Sequence, residues 1–380
     1  MDKESFKREI IDFEDNNLSP YAVKNFQARR KRKISSSFRG PYSRDRDHIL
    51  YSGSFRRYIG KTQVIYFASS IDEQLSNRSI HTLQVSQIAR TIGKALRLNI
   101  DLIEAIALGH DLGHTPFGHD GEEILQEICR EKKISLFFHN IHSLRIVDKL
   151  ADSCRGMNLT FQVRDGILSH DGEINEKYLK PNRSKSEIDL TNYCKQKYQG
   201  EEAQTIPATL EGCVVRMSDA ISYLGQDFED AIRIGILKKE ELPEGIKKEL
   251  GKRNADIINS LVVDIIKNSN NQDKIIYSPN ISERVFELKR FNLEKIYKNP
   301  ELKMKKNKLK SAFKFLFNKF LNDINTINED SLIYREWIFN RGKNKGGDYV
   351  NSNSSEQIVI DFIASMTDRY FYNAYKKYRK

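Results

Sequence analysis

Long apolar runs are missing from this 380-residue sequence. No stretch of about 18 apolar residues occurs, which argues against a membrane-spanning helix. The first fifteen residues, MDKESFKREIIDFED, are mostly polar and contain no apolar signal segment. We therefore expect a protein of the cytoplasm with no membrane partner.

Cysteine is also scarce. The four cysteines form no Cys-X-X-Cys pair and have no zinc-finger spacing, so we expect reduced thiols without a chemical role. Hydrophobic residues make up 39% of the chain and charged residues 30%, which is typical of a soluble globular protein. Such a length allows two or three domains, or one large helical domain with an appendage. The cysteines are Cys129, Cys154, Cys194 and Cys213.

Positive charge is in excess. The sequence has 63 lysines and arginines against 52 aspartates and glutamates, a formal net charge of +11. This excess favours polyanionic partners such as nucleotides or nucleic acid, although a proteome rich in Lys, Asn and Ile produces it too. The basic residues concentrate at 29–33 and in the last third of the chain, at Lys303, Lys305, Lys306, Lys308, Lys310, Lys314 and Lys319.

The lysines of the last third adjoin an apolar stripe with helical spacing. This pattern predicts an amphipathic helix packed on the body of the protein with a solvated basic face. A face that binds polyanions is the alternative interpretation. The stripe consists of Leu309, Ala312, Phe313, Leu316, Phe317 and Phe320.

Helical periodicity dominates the rest of the chain. It is clearest from 80 to 98 and from 101 to 110, and it returns at 139–152, 161–170 and 205–237. Alternating strand patterns are rare. The predicted fold is therefore mainly α, a helical bundle with additional C-terminal helices and few or no strands.

Composition suggests three regions. Residues 1–60 form a basic N-terminal helix and arm, and residues 61–237 form the core. Within the core, residues 171–205 are polar without a clear period and are predicted to be a surface insertion. Residues 238–380 form a Lys-rich helical region packed on the core.

More than half of the eight histidines lie within residues 110–142, headed by the pair His110–Asp111. Imidazole and carboxylate are the ligand types of a hydrolytic divalent metal, and His81 and Asp219 complete a candidate set of four. Adjacent residues can both bind one ion only near a helix end, which Gly113 supplies. A single buried histidine is more often a satisfied core residue, so the prediction rests on the combination.

The motifs RSIH, HDLGH and MSD make the chain similar to the HD-domain metal-dependent phosphohydrolases. Within them it resembles the deoxynucleoside triphosphate triphosphohydrolases, the dGTPase family. The resemblance follows the family order across residues 44–370. It is carried by RDRDHILYSGSFRRYIGKTQV (44–64), RSIHTLQVSQIAR (78–90), EAIALGHDLGHTPFGHDGEEIL (104–125), FHNIHSLRIV (138–147), RDGILSH (164–170), MSDAISYLGQDFEDAI (217–232) and IASMTDRY (363–370).

The resemblance implies a role for each matching residue. It implies an HD-domain helical bundle whose metal ligands are His81, His110, Asp111 and Asp219. It makes His119 the catalytic histidine and Glu122 its supporting carboxylate. The residues implied to bind substrate are Gln63 at the deoxyribose 3′-hydroxyl, Arg78, His114 and His139 at the phosphates, and Tyr223 and Asp227 at the sugar and phosphate.

The implied reaction is hydrolysis of a dNTP, dGTP foremost, at the α-phosphorus to deoxynucleoside and inorganic triphosphate. The cofactor is a divalent metal ion, with Mg, Mn or another first-row transition metal equally compatible. Family members assemble as homo-oligomers, often hexamers or tetramers, and several respond to a dNTP or single-stranded DNA effector. Two alternatives stay open: an HD-type phosphodiesterase or 5′-nucleotidase, and a nucleic-acid-binding regulatory protein with a vestigial site.

Overall fold

A computed structural model describes residues 3–34, 39–63, 75–171, 177–300 and 306–379. Helices account for nearly all of its regular structure, and the strands within these ranges are β1 and β2, two residues each and paired antiparallel. The predicted mainly α fold is confirmed. The strands are β1 (Tyr178–Leu179) and β2 (Ile275–Ile276).

The first half of the chain forms the helices that surround the histidine-rich segment. Their order follows the helical periodicity of the sequence. They are α1 (Lys3–Asn17), α2 (Pro41–Leu50), α3 (Gly53–Arg56), α4 (Arg78–Ala95), α5 (Ile100–Gly109), α6 (Gly118–Lys132), α7 (His139–Arg145), α8 (Phe161–Leu168), α9 (Glu187–Tyr198) and α10 (Leu210–Arg233).

The second half continues with shorter helices. Turns of π-helix follow α7 and α13 and precede α15, at Ile146–Leu150, Leu293–Tyr297 and Tyr334–Ile338. The α-helices are α11 (Glu244–Glu249), α12 (Asn254–Ser269), α13 (Pro279–Asn292), α14 (Lys306–Asn325), α15 (Lys343–Asn351), α16 (Ser355–Ser365) and α17 (Asp368–Tyr378). No helix of the described segments combines the length and apolarity needed to cross a bilayer.

Side-chain caps fix where the central helices begin. Asn77 accepts hydrogen bonds from the first backbone amides of α4, and Asn99 does the same for α5. Thr160 and Thr209 cap α8 and α10 in the same way. Helices α4, α5 and α10 then pack against one another, and α2 and α8 cover α5. This arrangement places the N-terminal turn of α4, the end of α5 and the middle of α10 side by side.

The segment predicted to be a surface insertion, for which no helix was predicted, contains one. Helix α9 begins after Ser186, whose backbone and hydroxyl both bond to Asp189. Leu190 and Tyr193 are buried against the core. Cys194 and Tyr198 are partly buried against the core as well. These four inward residues lie in an otherwise polar stretch, so their helical spacing is easily overlooked.

The lysine-rich helix packs its apolar stripe on the body of the protein and keeps its lysines partly exposed, as predicted. Helix α14 lies along α6, and lysines four residues apart on α14 pair with acids four residues apart on α6. The basic face is therefore solvated, but much of its charge is neutralised by α6, which the sequence did not predict. Lys303 and Lys305 lie outside the described residues. The pairs are Lys306 with Asp120 (3.1 Å) and Glu123, Lys310 with Glu127 (2.6 Å) and Lys314 with Glu131 (2.6 Å).

The basic arm at 29–33 is also anchored to the core. Arg30 pairs with buried Asp45 at 2.5 Å and donates to the Asn158 carbonyl at 2.6 Å. Arg29 lies over the Phe161 ring, 4.2 Å from its centroid, and Lys31 pairs with Asp148 at 3.1 Å. These cations are therefore used within the subunit.

Candidate metal and catalytic site

Two histidines and two aspartates from different helices converge at the centre of the bundle. His81 Nε2 lies 2.9 Å from Asp219 Oδ1, and His110 Nε2 lies 3.3 Å from Asp111 Oδ2. Across the group, His110 Nε2 to Asp219 Oδ1 is 3.8 Å and His81 Nε2 to Asp111 Oδ2 is 4.0 Å. When ligand atoms each lie about 2.0–2.2 Å from one metal ion, they lie about 3–4 Å from one another. The separations in this group match that spacing. The four predicted ligands are brought together.

The hydrogen bonding of His110 is that expected of a metal-binding histidine. Its Nδ1 is 2.7 Å from the Ala107 carbonyl, which fixes the proton on Nδ1 and leaves the lone pair on Nε2. Nε2 is buried and makes no hydrogen bond of good geometry within the described part of the chain. A buried nitrogen of this kind needs a partner, and a metal ion would satisfy it.

The two carboxylates of the group are held ionised. Burial alone would raise the pKa of Asp111, but His110, Arg78 and His114 hold it well below its usual value. Burial opposes ionisation of Asp219 too, yet the hydrogen bond with His81 and the charge of His110 lower its pKa to about 2. The group therefore offers two negative charges to a cation near neutral pH.

Arg78 lies between the ligand group and the start of α6. Its Nη1 donates to Asp111, while its buried Nε and Nη2 have no partner among the described residues. Gly118, at φ +56°, lies so close that a Cβ there would be 3.3 Å from Arg78 Nη2 and 3.1 Å from the Gln63 carbonyl. The Gln63 Oε1 is likewise buried without a described partner. Gln63 and Arg78 thus both keep free hydrogen-bonding groups beside the ligand group.

A second cluster lies next to the first and contains His114, His119, Glu122 and His139. The His114 and His139 rings stack with centroids 4.0 Å apart. Glu122 accepts hydrogen bonds from the backbone amide and Nδ1 of His139, both at 2.9 Å, and lies 3.6 Å from His119 Nδ1. His119 is 72% exposed, in the first turn of α6, whereas the other three are buried. This is the one imidazole of the cluster that incoming substrate can reach directly.

The two buried histidines of the second cluster differ in charge. Burial would lower the pKa of His139, but Glu122 raises it to about 9. Despite burial, His139 and His119 hold the pKa of Glu122 well below its usual value. Burial and the cations Arg78 and His139 lower the pKa of His114 well below 6.5. Glu122 therefore supports His139 at least as closely as it supports His119.

Glycines hold the loop between α5 and α6 in place. A Cβ at Gly113 would lie 2.2 Å from the His139 carbonyl, and one at Gly121 would lie 2.0 Å from the Pro116 carbonyl. Only a residue without a side chain fits at either position. His114 lies on this loop, and His119 lies in the first turn of α6.

His170 is a site residue that the sequence interpretation missed. Its Nε2 lies 3.3 Å from His139 Nε2 and 3.6 Å from Asp111 Oδ1, while its Nδ1 bonds to the Ile167 carbonyl at 2.7 Å. Asp111 therefore contacts both clusters, with Oδ2 toward His110 and Oδ1 toward His114 and His170. The available signal was the histidine at the end of RDGILSH, a segment already notable for its resemblance.

Tyr297 is a second missed residue. Its hydroxyl donates to Asp227 at 2.5 Å, and the two lie near Tyr223 on the side of α10 that also carries Asp219. Burial, with Asp230 and Asp219 nearby, raises the pKa of Asp227 to about 7. The predicted pair Tyr223 and Asp227 is therefore placed beside the ligand group, joined by a tyrosine from a distant part of the chain.

Family models match the chain in two places. An HD domain matches residues 78–224, which contain all four candidate ligands, and a phosphohydrolase-associated domain matches residues 275–377. The bundle and the His/Asp group together define an HD-domain protein of the phosphohydrolase class. Such domains are typically metal-dependent, and the His81–His110–Asp111 group could hold the ion.

The similarity to curated relatives extends over nearly the whole chain. A deoxyguanosinetriphosphate triphosphohydrolase-like protein of Caldanaerobacter subterraneus subsp. tengcongensis is 37% identical, and the match covers 95% of this chain and 91% of that protein. A protein of the same name from Desulfatibacillum aliphaticivorans is 34% identical, and the match covers 99% of this chain and 97% of that protein. A third, from Clostridium tetani, is 34% identical over 97% and 95%. The chain belongs to this family, and the resemblance found in the sequence is confirmed.

Proposed function

We propose that the protein hydrolyses a deoxynucleoside triphosphate, dGTP foremost, to deoxynucleoside and inorganic triphosphate. The observation that carries the proposal is the division of the site into two clusters joined by Asp111. One cluster offers a cation site, and the other offers an accessible imidazole backed by a carboxylate. Hydrolysis of a phosphate ester needs both functions within one site.

The cation site would be formed by His81, His110, Asp111 and Asp219. A bound Mg, Mn or other first-row transition ion would polarise the α-phosphate and activate a water molecule. Arg78, with Nε and Nη2 free, is placed to donate to phosphate oxygens as negative charge shifts onto them. His114 and His139 add a buried pair of imidazoles, one cationic, toward the same phosphates.

His119 is the proposed proton donor. The water oxygen forms a bond to the α-phosphorus and releases a proton to solvent, while the bond from phosphorus to the sugar 5′-oxygen breaks. His119 gives its proton to that 5′-oxygen. Glu122, 3.6 Å from His119 Nδ1, would orient the ring. Triphosphate leaves intact because the bonds between its phosphates are not touched.

The deoxyribose is proposed to lie between Gln63 and Tyr223. Gln63 has a free buried Oε1 that can accept from the 3′-hydroxyl. Tyr223, on the α10 face beside Asp227 and Tyr297, would close over C2′ and leave no room for a 2′-hydroxyl. A ribonucleotide is therefore expected to be a poor substrate.

The anchored basic segments weaken the interpretation of a nucleic-acid-binding protein. Arg30 and Lys31 pair within the subunit, and the described lysines Lys306, Lys310 and Lys314 pair with helix α6. Few of these cations remain for a polyanion. The proposed role in catalysis does not depend on them.

Product analysis tests the proposal. The four dNTPs and GTP are incubated with Mg²⁺ or Mn²⁺, and triphosphate and nucleoside are measured. Inorganic triphosphate released in equal amount with deoxynucleoside is the expected result. Orthophosphate, pyrophosphate or a nucleoside monophosphate as product would instead identify a phosphodiesterase or nucleotidase, and binding without any product would identify a regulatory protein.

The pKa of Asp227 gives a pH prediction. Because its carboxyl group is protonated below about pH 7, the better acceptor form for a substrate hydroxyl appears only as pH rises through that value. We expect the KM for a dNTP to fall over this range in the natural protein. Asp227→Asn should lose that dependence.

The control is Glu229→Gln, which changes an exposed acid on the same helix. KM is measured from pH 6 to 8 for all three proteins at saturating metal. The same slope in Asp227→Asn as in the natural protein would show that another group titrates.

A further inference from the structure

The second cluster has the donor atoms of a metal site of its own. One nitrogen or carboxylate oxygen from each of its members lies within 4.8 Å of the others. Three imidazoles and one carboxylate form a donor set that suits a four-coordinate zinc ion. None of them belongs to the four ligands proposed for the catalytic ion. The members are His114, His119, Glu122 and His139.

His114 has a nitrogen that the fold leaves free. Its Nε2 lies 3.3 Å from Asp111 Oδ1, so in the neutral ring Nε2 carries the proton and Nδ1 carries the lone pair. This Nδ1 is buried and has no partner among the residues that the structure describes. A histidine that donates to a carboxylate through one nitrogen and keeps the other unpaired is oriented as a metal ligand.

His139 is oriented in a similar way. Its Nε2 lies 3.3 Å from His170 Nε2, and His170 Nδ1 is bonded to the Ile167 carbonyl at 2.7 Å, which leaves His170 Nε2 as the acceptor. His139 therefore donates through Nε2, and its Nδ1 faces Glu122 at 2.9 Å. A cation between this nitrogen and the carboxylate would displace the Nδ1 proton to solvent.

His119 completes the cluster from the solvent side. Its Nδ1 lies 3.6 Å from Glu122 Oε2, and its ring centroid lies 5.0 Å from that of His114 and 5.8 Å from that of His139. Because the side chain is exposed, the ring can turn toward an ion without disturbing the core. The same exposure gives an ion a path from solvent.

Donor chemistry distinguishes the second cluster from the ligand group. The ligand group has two imidazoles and two carboxylates, which Mg²⁺ and Mn²⁺ accept as well as later ions do. The second cluster is richer in imidazole, which suits zinc, nickel and copper, whereas Mg²⁺ prefers oxygen ligands. Magnesium should therefore leave the second cluster free, and zinc should fill it.

We propose that the second cluster is an inhibitory site for Zn²⁺ or a similar late transition ion. An ion bound there replaces the proton that His119 would donate and engages the carboxylate of Glu122. The leaving 5′-oxygen then has no proton donor. His114 and His139 are withdrawn from the phosphates at the same time. The inhibition rests on the proposed function, whereas binding of the ion does not.

The number of bound ions tests the site directly. The protein is stripped of metal with a chelator and dialysed against Zn²⁺ or Mn²⁺, and bound metal is measured by mass spectrometry. We expect two equivalents of zinc but one of manganese. In His110→Asn, which removes a ligand of the catalytic ion, zinc should fall to one equivalent and manganese to none.

His119→Ala assigns the additional zinc to the second cluster. Loss of one ligand should weaken zinc binding there more than about 100-fold, since even changes outside a ligand set cost about 10–100-fold. Binding of manganese should be retained, because His119 is not a ligand of the catalytic ion. Glu123→Ala is the matched control: it removes an exposed acid from the same part of α6. Circular dichroism verifies that both variants are folded.

Inhibition is measured with dGTP and manganese in excess. Turnover by the natural protein and by Glu123→Ala should stop as one equivalent of zinc binds beside one equivalent of manganese. An inhibited protein in which zinc has taken the place of manganese would assign the inhibition to the ligand group and overturn the proposal.

Two binding results would overturn it as well. One is a single equivalent of zinc in the natural protein. The other is equal zinc content in His119→Ala and Glu123→Ala, which would place the second ion between Asp111, His139 and His170 instead. Absence of any dNTP turnover would refute the proposed function, and the zinc equivalents would still decide whether the second cluster binds a metal.

Discussion

His110→Asn is expected to remove metal binding and to reduce dNTP hydrolysis by about three orders of magnitude or more. The asparagine amide can replace the Nδ1 bond to the Ala107 carbonyl, but nothing replaces the buried Nε2. Loss of one ligand in four is expected to weaken metal binding more than about 100-fold, since even changes outside the ligand set cost 10–100-fold. A bound metal ion would stabilise the transition state by several kcal/mol, which sets the scale of the expected activity loss.

His48→Asn is the matched control for this substitution. His48 Nδ1 also bonds to a backbone carbonyl, that of Met157, at 3.3 Å, and the residue lies away from the ligand group. Metal content after dialysis is measured by mass spectrometry, and activity is measured in parallel. A His110→Asn protein that binds a full equivalent of metal would refute the proposed ligand set.

His119→Ala is expected to lower kcat by about 10²–10⁴-fold while dNTP affinity is retained. The residue is 72% exposed, so its loss should leave folding unaffected. The remaining imidazoles cannot replace it, because His114 and His139 are buried and stacked on each other. Single-turnover kinetics and equilibrium binding of dGTP separate the two effects.

Glu123→Ala controls for disturbance of the same helix. Glu123 is exposed, one position beyond Glu122, and pairs with Lys306. It should keep near-normal kcat. Normal kcat in His119→Ala would show that the proton comes from another group, such as His139 or a water molecule.

The helical fold could be predicted because apolar residues repeat at helical spacing through α4, α5 and α10. Helix α9 was missed because its inward residues, Leu190 and Tyr193 with partly buried Cys194 and Tyr198, lie in an otherwise polar stretch. The lysine-rich helix and its solvated face were predicted, but the ion pairs that its lysines form with α6 were not. Pairing between charges 183 residues apart in sequence, as for Lys314 and Glu131, leaves no local pattern to detect.

The candidate ligands could be named in advance because His–Asp adjacency and the ordered motifs restrict the choice. Their convergence agrees with the prediction, while their binding of an ion stays a proposal. His170 ends a segment that carries the family resemblance, but nothing in that segment assigns it to the site, and Tyr297 has no sequence signal at all. Each enters the site only when distant helices bring it within hydrogen-bond distance of His139 or Asp227.

The loop that presents His114 depends on the far end of the chain. Asp368 accepts from the Phe117 amide at 2.9 Å and from the Thr62 amide at 3.1 Å, and Lys61 Nζ donates to the Ala364 carbonyl at 2.8 Å. A shortened protein that ends after α10 would keep every proposed metal ligand and still lose these supports. The HD-domain segment is therefore an unsuitable unit for domain transplantation or for expression by itself, since the last twenty residues complete its active-site loop.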